Sequence, residues 1–346
     1  MRSASVPSDG RLPVTRAGAT LPDVEARGTN AVISTQELTK HYGGAVIALE
    51  RLTLDVRQGE IFGFLGPNGA GKSTMIRTLL GFLHPTSGLA TVLGLDVARE
   101  SVDIRRLTGY LPGGIALYDS MTGEQVLDYF ARLQGREAYR RDELVERLQM
   151  PQADLRRRVR DYSRGMRQKI GVIQALQHDP ELAILDEPTE GLDPLMQHAF
   201  YGILADLRAE GRTIFFSSHV LSEVERVCDR VGIIRHGRLM AVHEVRELLA
   251  RRRRKVAIQW RGAAPDADSL PGLEDVTIQG DRLFGTLSGD VSAFVRAVAS
   301  PSLEDLTIEP ASLEEAFLEY CADDAATGPA TDGTAVAAAA EAEARG

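Results

Sequence analysis

The sequence predicts an α/β protein with a parallel sheet core, an antiparallel strand layer and a helical insertion, followed by a small α+β domain. Two observations support this prediction. Up to about Met240, short apolar runs alternate with helical patterns, as in a parallel sheet that is covered by helices. Beyond it, three strand patterns precede a helix, a further strand and a capped helix. The expected domains are 31–240, with an insertion at about 114–170, and 241–322.

The expected elements follow one another in chain order, each as an apolar run or helical pattern bounded by turn residues. Strands of the first domain are predicted at 31–38, 45–56, 61–65, 90–92, 182–185, 213–218 and 231–234, with helices at 122–133 and 169–178. Strands of the second domain are predicted at 255–260, 274–278, 282–287 and 303–308, with helices at 290–299 and 312–320. Ser312 is the N-cap of the last helix, and Glu315 stands at its capping-box position.

Composition limits the class of protein. The chain has 346 residues, a formal net charge of −9 and two cysteines without metal-ligand spacing. The negative charge argues against a broad electrostatic grip on nucleic acid, and the cysteine use suits a reducing compartment. No apolar run is long enough to cross a bilayer, and the ends at 1–30 and 323–346 lack a core pattern and are predicted to be disordered. We therefore expect a chain that is made and kept in the cytosol.

The most informative segment has the order strand, Gly-rich loop, helix. The apolar run Ile61–Leu65 leads into the sequence GPNGAGKST and then into an apolar helical pattern. Such a loop wraps backbone N–H groups around a polyphosphate, and its Lys and Ser add a positive charge and a magnesium-binding hydroxyl. The alternative is a Gly-rich turn that holds no ligand. The sequence predicts that a nucleoside triphosphate and Mg²⁺ are bound by this phosphate-binding loop, which consists of Gly66, Pro67, Asn68, Gly69, Ala70, Gly71, Lys72, Ser73 and Thr74.

A second buried strand pattern ends in two carboxylates. Residues 182–185 are all apolar, and Asp186 and Glu187 follow at the expected carboxyl end of a parallel strand. Asp186 is expected to steady the magnesium shell. Glu187 is expected to orient or deprotonate the attacking water, while Lys72 neutralises charge on the phosphoryl group. The alternative is an ordinary strand end with two solvated acids.

Residues 162–168, YSRGMRQ, lie between the phosphate-binding loop and the carboxylates and precede a helical run. This segment resembles the signature loop of ABC-type ATPases, in the variant S-x-G-M-x-Q. The resemblance implies that Ser163 and the N–H groups near Gly165 bind the γ-phosphate held by the opposite subunit, so that two subunits sandwich two ATP molecules. A Ser and a Gly before a helix also form an anion site in physical terms, and an N-capped helix is the alternative.

Three further residues match that family in order. Tyr42 lies upstream of the phosphate-binding loop, where the family places a ring that stacks on the base; the alternative is a half-buried ring at a strand end. Asp193, in the segment EGLDP, matches the loop that reaches across the dimer. His219 follows a buried strand pattern and matches the switch histidine that contacts the γ-phosphate, with a structural histidine as the alternative.

One position departs from the family pattern. After the segment TGYLP the family usually places Gln, or in this branch often Glu, whereas this chain has Gly113. Glycine offers neither a metal contact nor a side-chain hydrogen bond to the attacking water. Backbone carbonyls or water are the alternative contacts from this loop to the metal site. With such contacts the chain would keep its ATPase activity, but the coupling of the metal site to a partner would be weaker.

The last residues of the predicted second domain indicate which branch of the ABC-type ATPases the chain resembles. The segment at 308–317, IEPASLEEAF, is similar to the close of ATPase subunits of ABC-2-type multidrug and antibiotic exporters, the daunorubicin-resistance-like ATPases. The resemblance implies a motor subunit that forms a homodimer or heterodimer and acts on an ABC-2-type transmembrane permease through residues 117–121. It also implies a peripheral location at the cytoplasmic face of the plasma membrane. The basic run at 251–255 has two interpretations. In one, it contacts anionic lipid near the membrane partner. In the other, it is the solvated end of a helix, where positive charge compensates the helix dipole.

Two other functions stay open at this point. An ABC ATPase that works on ribosomes or DNA without transport is the main alternative. Ribosome-acting members carry two cassettes and DNA-repair members carry long coiled coils, and this chain has neither, so we expect no nucleic-acid partner. A phosphate-loop kinase is the weaker alternative, because the signature loop and the pairing of Glu187 with Asp186 argue against it.

Overall fold

The computed structural model describes part of the chain: residues 30–43, 46–250, 254–262, 270–299 and 302–309, with the backbone alone at 249 and 250. Several predicted segments lie outside these residues. They are the tail at 1–30 apart from its last residue, most of the basic run at 251–255, the capped helix at 312–320 and the tail at 323–346.

The described residues form the following strands and helices, each numbered in chain order. The strands are β1 (Ala31–Tyr42), β2 (Val46–Arg57), β3 (Ile61–Leu65), β4 (Ser87–Val92), β5 (Leu95–Asp96), β6 (Thr108–Leu111), β7 (Leu182–Asp186), β8 (Thr213–Ser218), β9 (Arg230–Arg235), β10 (Arg238–Glu244), β11 (Arg254–Trp260), β12 (Leu273–Gln279), β13 (Arg282–Leu287) and β14 (Leu303–Glu309). The helices are α1 (Lys72–Leu79), α2 (Ser101–Leu107), α3 (Gly123–Gln134), α4 (Arg141–Arg147), α5 (Gln152–Leu155), α6 (Arg164–Leu176), α7 (Pro194–Ala209), α8 (Leu221–Val227), α9 (Val245–Ala250) and α10 (Val291–Val298).

A mostly parallel sheet lies within residues 61–244. Its strand order is β10-β9-β3-β8-β7-β6, and β10 runs antiparallel to β9. Every residue of β3, β7 and β8 is buried, as expected of strands that are covered on both faces. Because parallel strands end at the same edge of a sheet, the loops after β3, β6, β7 and β8 leave this sheet at one edge. The predicted nucleotide-binding residues lie largely on these loops.

The antiparallel layer expected from the sequence is confirmed. Its strand order is β2-β1-β4-β5, and its apolar side chains share one core cluster with α1 and with Phe62 and Phe64 of the parallel sheet. Two of its strands are longer than predicted, since β1 continues to Tyr42 and β4 begins at Ser87. The added residues pair with neighbouring strands. Because the stability of such a strand end comes from its partner strand, the local sequence contains no pattern that predicts it.

The helix predicted at 122–133 is observed as α3, and it begins with a capping box. The Thr122 hydroxyl accepts from the Gln125 N–H at 3.2 Å, and the Gln125 side chain accepts from the Thr122 N–H at 2.9 Å. Behind this cap, Val126 and Leu127 are buried in one cluster with Ile170 of α6. The insertion is thereby packed on the helix that begins at the signature loop.

Among the described residues, those between 254 and 309 form a further antiparallel sheet, against which α10 packs. The strand order is β12-β13-β11-β14, and all four strands lie where the sequence predicts strands. Alternate residues of β11, ending with Trp260, are buried in a cluster that includes Phe294 of α10. Among the described helices, none is both long enough and apolar enough to cross a membrane.

Phe215, in the middle of β8, provides a test of the core. Its ring is fully buried, with its centroid 5.9 Å from that of Phe62 and 5.3 Å from that of Phe64. We expect Phe215→Ala to lower the free energy of unfolding by about 3–5 kcal/mol, because the neighbouring rings cannot fill the cavity. Urea denaturation of the full chain, followed by circular dichroism, measures this. Phe82, which is 53% exposed, is the matched control, and Phe82→Ala should cost less than about 1 kcal/mol. Equal losses in the two variants would contradict the placement of Phe215 in the core.

Candidate nucleotide site

The phosphate-binding loop is shaped by its glycines. Gly71 is the N-cap of α1 and has a φ of 109°, in the region that favours glycine. A Cβ there would lie 2.5 Å from the carbonyl oxygen of Ala48, and a Cβ at Gly66 would lie 2.4 Å from that of Ile234. Both positions therefore need glycine, because the loop lies directly against β2 and β9. The first N–H groups of α1 have no intrahelical partner, which makes this helix start an anion site.

Lys72 is buried inside this loop. Its ammonium group donates to the carbonyl oxygens of Gly66 at 2.7 Å and Pro67 at 3.2 Å, and lies 3.3 Å from Oε1 of Glu187. These three neighbours are all acceptors, so the loop holds one positive charge at its centre. Phosphate oxygens are acceptors of the same kind, and the ammonium is placed to donate to them.

Asp186 joins the phosphate-binding loop to the neighbouring strand. Its Oδ2 accepts from the Ser73 hydroxyl at 2.9 Å, and its Oδ1 accepts from the Ser217 hydroxyl at 2.5 Å. The carboxylate is buried at the end of β7. A hydroxyl and a carboxylate oxygen are the hard donors that Mg²⁺ takes from a protein when phosphate and water complete its shell. The residues present therefore fit a magnesium ion that arrives with a nucleotide.

Glu187 has an unusual backbone conformation. Its φ is 48°, a left-handed value that costs a residue other than glycine about 1–2 kcal/mol. The Glu187 N–H donates to the carbonyl oxygen and the hydroxyl of Ser217, at 3.2 Å and 3.1 Å, and these bonds hold the turn. The turn brings the carboxylate between Lys72 and His219, whose Nδ1 lies 2.9 Å from Oε2 of Glu187. The structure thus brings together the three residues that were predicted to be catalytic.

The signature loop leads into the N-capped helix α6, which is the arrangement that the alternative interpretation expects. Ser163 is the N-cap, and its hydroxyl accepts from the Met166 N–H at 3.3 Å. A Cβ on Gly165 would lie 2.9 Å from the carbonyl oxygen of Gly191, so the backbones approach closely there. An anion site at the same helix start is compatible with this cap. The predicted contacts of Ser163 and Gly165 with a second subunit's γ-phosphate stay a prediction.

The loop at 188–193, which follows Glu187, contacts the signature loop in two further places. The Gln168 side-chain amide donates to the Pro188 carbonyl at 2.6 Å, and Arg164 forms an ion pair with Glu190. Asp193 is the N-cap of α7, where its carboxylate accepts from an N–H of the first turn at 3.0 Å. Its predicted reach across a dimer stays a prediction.

Tyr42 is placed differently from the expectation for a base-stacking ring. Its side chain is only 2% exposed and packs with Ala48 and Leu83 at the end of β1. The Lys40 ammonium lies 5.1 Å from the ring centroid. A ring that stacks on a base needs an open face, and this burial agrees with the alternative of a structural ring at a strand end. The base-stacking role of Tyr42 stays a prediction.

Gly113 lies beside the proposed magnesium ligands. A Cβ at this position would be 3.3 Å from Oδ2 of Asp186, and the backbone is not in the left-handed region. The place where the family has Gln or Glu is therefore in contact with Asp186, and this chain leaves it without a side chain. In the strand before it, burial and then the charge of Asp186 raise the pKa of Tyr110 to about 12, so the phenol is neutral.

Three polar residues behind the site were not predicted from the sequence. Ser217 binds both Asp186 and the Glu187 backbone, while Ser218 and Glu223 bind each other at 2.7 Å. The available signal was the pair of serines at the end of an otherwise apolar strand pattern. A hydroxyl in a buried strand requires a partner, and here the partners are carboxylates. Glu223 itself gave no signal, since an acid in a first helical turn is ordinarily solvated.

Comparison with known sequences identifies the family. Residues 49–190 match the family described as ABC transporter. An uncharacterized ABC transporter ATP-binding protein of Nostoc sp. is 36% identical, over 86% of this chain and 92% of its own length. The daunorubicin resistance ATP-binding protein DrrA3 of Streptomyces coeruleorubidus is 34% identical, over 85% of this chain and 97% of its own length.

Comparison with solved structures agrees. The structure of an ATP binding subunit of an ABC transporter has a TM-score of 0.59 and 32% sequence identity, and the match covers 63% of this chain and 92% of that one. The family match spans the phosphate-binding loop, the signature loop and both strand-end carboxylates. This chain belongs to the ABC transporter family, as one of its ATP-binding and ATP-hydrolysing subunits.

Proposed function

We propose that this chain is the motor subunit of an ABC-type exporter. It binds and hydrolyses ATP with Mg²⁺ and drives efflux of a drug, antibiotic, lipid or similar substrate through separate membrane subunits. The observation that carries the proposal is the contact of Glu187 with both Lys72 and His219 at the phosphate-binding loop. The daunorubicin resistance relative, which aligns over most of both chains, supports a small drug-like cargo.

In the proposed reaction the loop amides and Lys72 bind the phosphates of ATP. Ser73 and Asp186 hold Mg²⁺, which when bound neutralises charge on the phosphates. Glu187 orients the attacking water and accepts its proton. His219 bonds to the second carboxylate oxygen of Glu187, which fixes the direction of the first, and its other ring nitrogen is available to the γ-phosphate.

The proposed reaction uses two ATPase subunits. Ser163 is exposed at the start of α6, where unpaired N–H groups and the helix dipole form an anion site for the γ-phosphate of a second subunit. The same helix is bonded through Gln168 to Pro188, the residue after Glu187. One protomer therefore links its own hydrolytic carboxylate to the site that it completes in its partner. The partner is a second copy of this chain or a related ATPase subunit.

An apolar groove of about 540 Å³ is the proposed docking site for the ABC-2-type permease at the cytoplasmic face of the membrane. Its lining includes Leu117, from the segment predicted to contact the permease, and Leu133, which is 67% exposed. Exposed apolar surface of this kind marks an interaction site. Pro112 also lines the groove, and the next residue is beside Asp186. A permease segment seated here would press on the loop that adjoins the magnesium ligands.

Leu133 provides the test of the groove. We expect Leu133→Glu to reduce permease-stimulated ATP hydrolysis about tenfold or more and to leave basal hydrolysis unchanged, because a carboxylate is poorly tolerated in an apolar contact. The measurement is ATP turnover in proteoliposomes that contain the cognate membrane subunit. Leu89→Glu is the matched control, since Leu89 is 61% exposed on β4, outside the groove. Normal stimulation of both variants would rule out this docking site.

Glu187 provides the test of the hydrolytic role. We expect Glu187→Gln to bind ATP normally and to hydrolyse it roughly a hundredfold more slowly, because the amide cannot take a proton from water. Single-turnover hydrolysis and equilibrium dialysis measure the two quantities, and light scattering should show an ATP-bound dimer. Glu181→Gln, at the other end of the same strand region, should behave as wild type. Unchanged hydrolysis in Glu187→Gln would remove Glu187 from the mechanism.

Gly113 provides the test of coupling. We expect Gly113→Gln to raise permease-stimulated hydrolysis and to leave ATP affinity within a few fold, since the added side chain starts 3.3 Å from Asp186 while Lys72 and the loop amides carry binding. Stimulation is measured in the same proteoliposomes. Gly114→Gln is the control, because a Cβ at Gly114 meets no atom within 4 Å. Equal stimulation in all three proteins would show that another residue links the permease to the metal site.

A further inference from the structure

Behind the nucleotide site, a buried carboxylate joins the loops that carry Glu187 and His219. Glu223 lies in the first turn of α8 and is 9% exposed. Its Oε1 accepts from the Thr189 hydroxyl at 2.5 Å, and its Oε2 accepts from the Ser218 hydroxyl at 2.7 Å. The reaction proposed above makes no use of Glu223.

Each of these hydroxyls belongs to a residue close to the proposed catalytic pair. Thr189 follows Glu187 by two residues, and Ser218 directly precedes His219. The Ser218 oxygen also accepts from the Val220 N–H at 2.9 Å, which closes a turn around His219. The direction of the imidazole therefore depends on the Ser218 hydroxyl, and that hydroxyl is held by Glu223.

A carboxylate is the side chain that suits this position. It only accepts hydrogen bonds, and each of its oxygens faces a hydroxyl that donates. The Tyr201 hydroxyl is a further donor to Glu223, and burial followed by the charge of Glu223 raises the pKa of Tyr201 above its usual value. Tyr201 thus remains protonated and able to donate. A buried charge that is satisfied in this way is costly to replace by a group with fewer acceptors.

We propose that Glu223 is a positioning residue for ATP hydrolysis: by binding Thr189 and Ser218 at once, it fixes the separation of the Glu187 carboxylate and the His219 imidazole. The inference rests on the roles proposed for those two residues. Glu223 touches neither the phosphate-binding loop nor the magnesium ligands in the contacts above, so its effect falls on turnover and not on ATP affinity.

The first test replaces Glu223 with glutamine in the full chain. The amide keeps the size of the side chain but offers one acceptor oxygen, so one of the two hydroxyls loses its acceptor. We expect kcat for ATP to fall about tenfold to a hundredfold, the effect of a small displacement of reacting groups, and the Kd for ATP to stay within twofold. Glu225→Gln removes the same charge from the same helix and should leave both values unchanged.

A second pair of variants keeps the test valid if Glu223→Gln folds poorly. Thr189→Val removes the hydroxyl with little change in volume and should lower kcat, whereas Thr189→Ser keeps the hydroxyl and should restore it. In the Glu187→Gln background, Glu223→Gln should lower the remaining turnover by a smaller factor than it does in the wild-type chain, because residues that act through one another are not additive.

The outcomes separate this inference from the proposed function. Wild-type kcat in both Glu223→Gln and Thr189→Val would overturn the positioning role. A fall in kcat accompanied by an equal loss of ATP affinity, or one that merely follows the folded fraction, would show a structural role and would also overturn it. Unchanged turnover in Glu187→Gln would instead overturn the proposed function itself.

Discussion

The Asp186 carboxylate is the point on which the arrangement of the site depends. It is buried, so its charge must be satisfied, and two hydroxyls from different elements satisfy it. Ser73 belongs to the first turn of α1 and Ser217 to the end of β8. One side chain therefore sets the spacing of the phosphate-binding loop and of the two neighbouring strands at the edge where nucleotide chemistry takes place.

Further hydrogen bonds build outward from this point. Ser217, held by Asp186, also accepts from the Glu187 N–H and so supports the turn that places the Glu187 carboxylate. Beyond that turn, Gln168 binds the Pro188 carbonyl and Glu223 binds Thr189. The loop after β7 is therefore tied on one side to the signature helix and on the other to α8. Both helices therefore contact the same loop.

The sequence predicted the fold class and most strands because buried parallel strands are continuous apolar runs and helix starts carry capping residues. It also predicted roles at the phosphates of ATP for Lys72, from the phosphate-binding loop, for Glu187, from the strand-end carboxylates, and for His219, from the family resemblance. It did not predict that residues 108–111 form the strand β6, or that the side chain of Tyr42 is buried. The burial of Glu223 was not predicted either. The burial of these groups depends on elements distant in sequence, and local patterns do not record such packing.

The left-handed backbone of Glu187 lowers the stability of the fold, whereas its carboxylate has the proposed role in hydrolysis. In the left-handed region, glycine or asparagine is more favourable than glutamate by about 1 kcal/mol. Replacement by glycine or asparagine would relieve this backbone cost, but it would also remove the carboxylate that contacts Lys72 and His219. The conformation of this single residue thus marks where the chain gives up stability for chemistry.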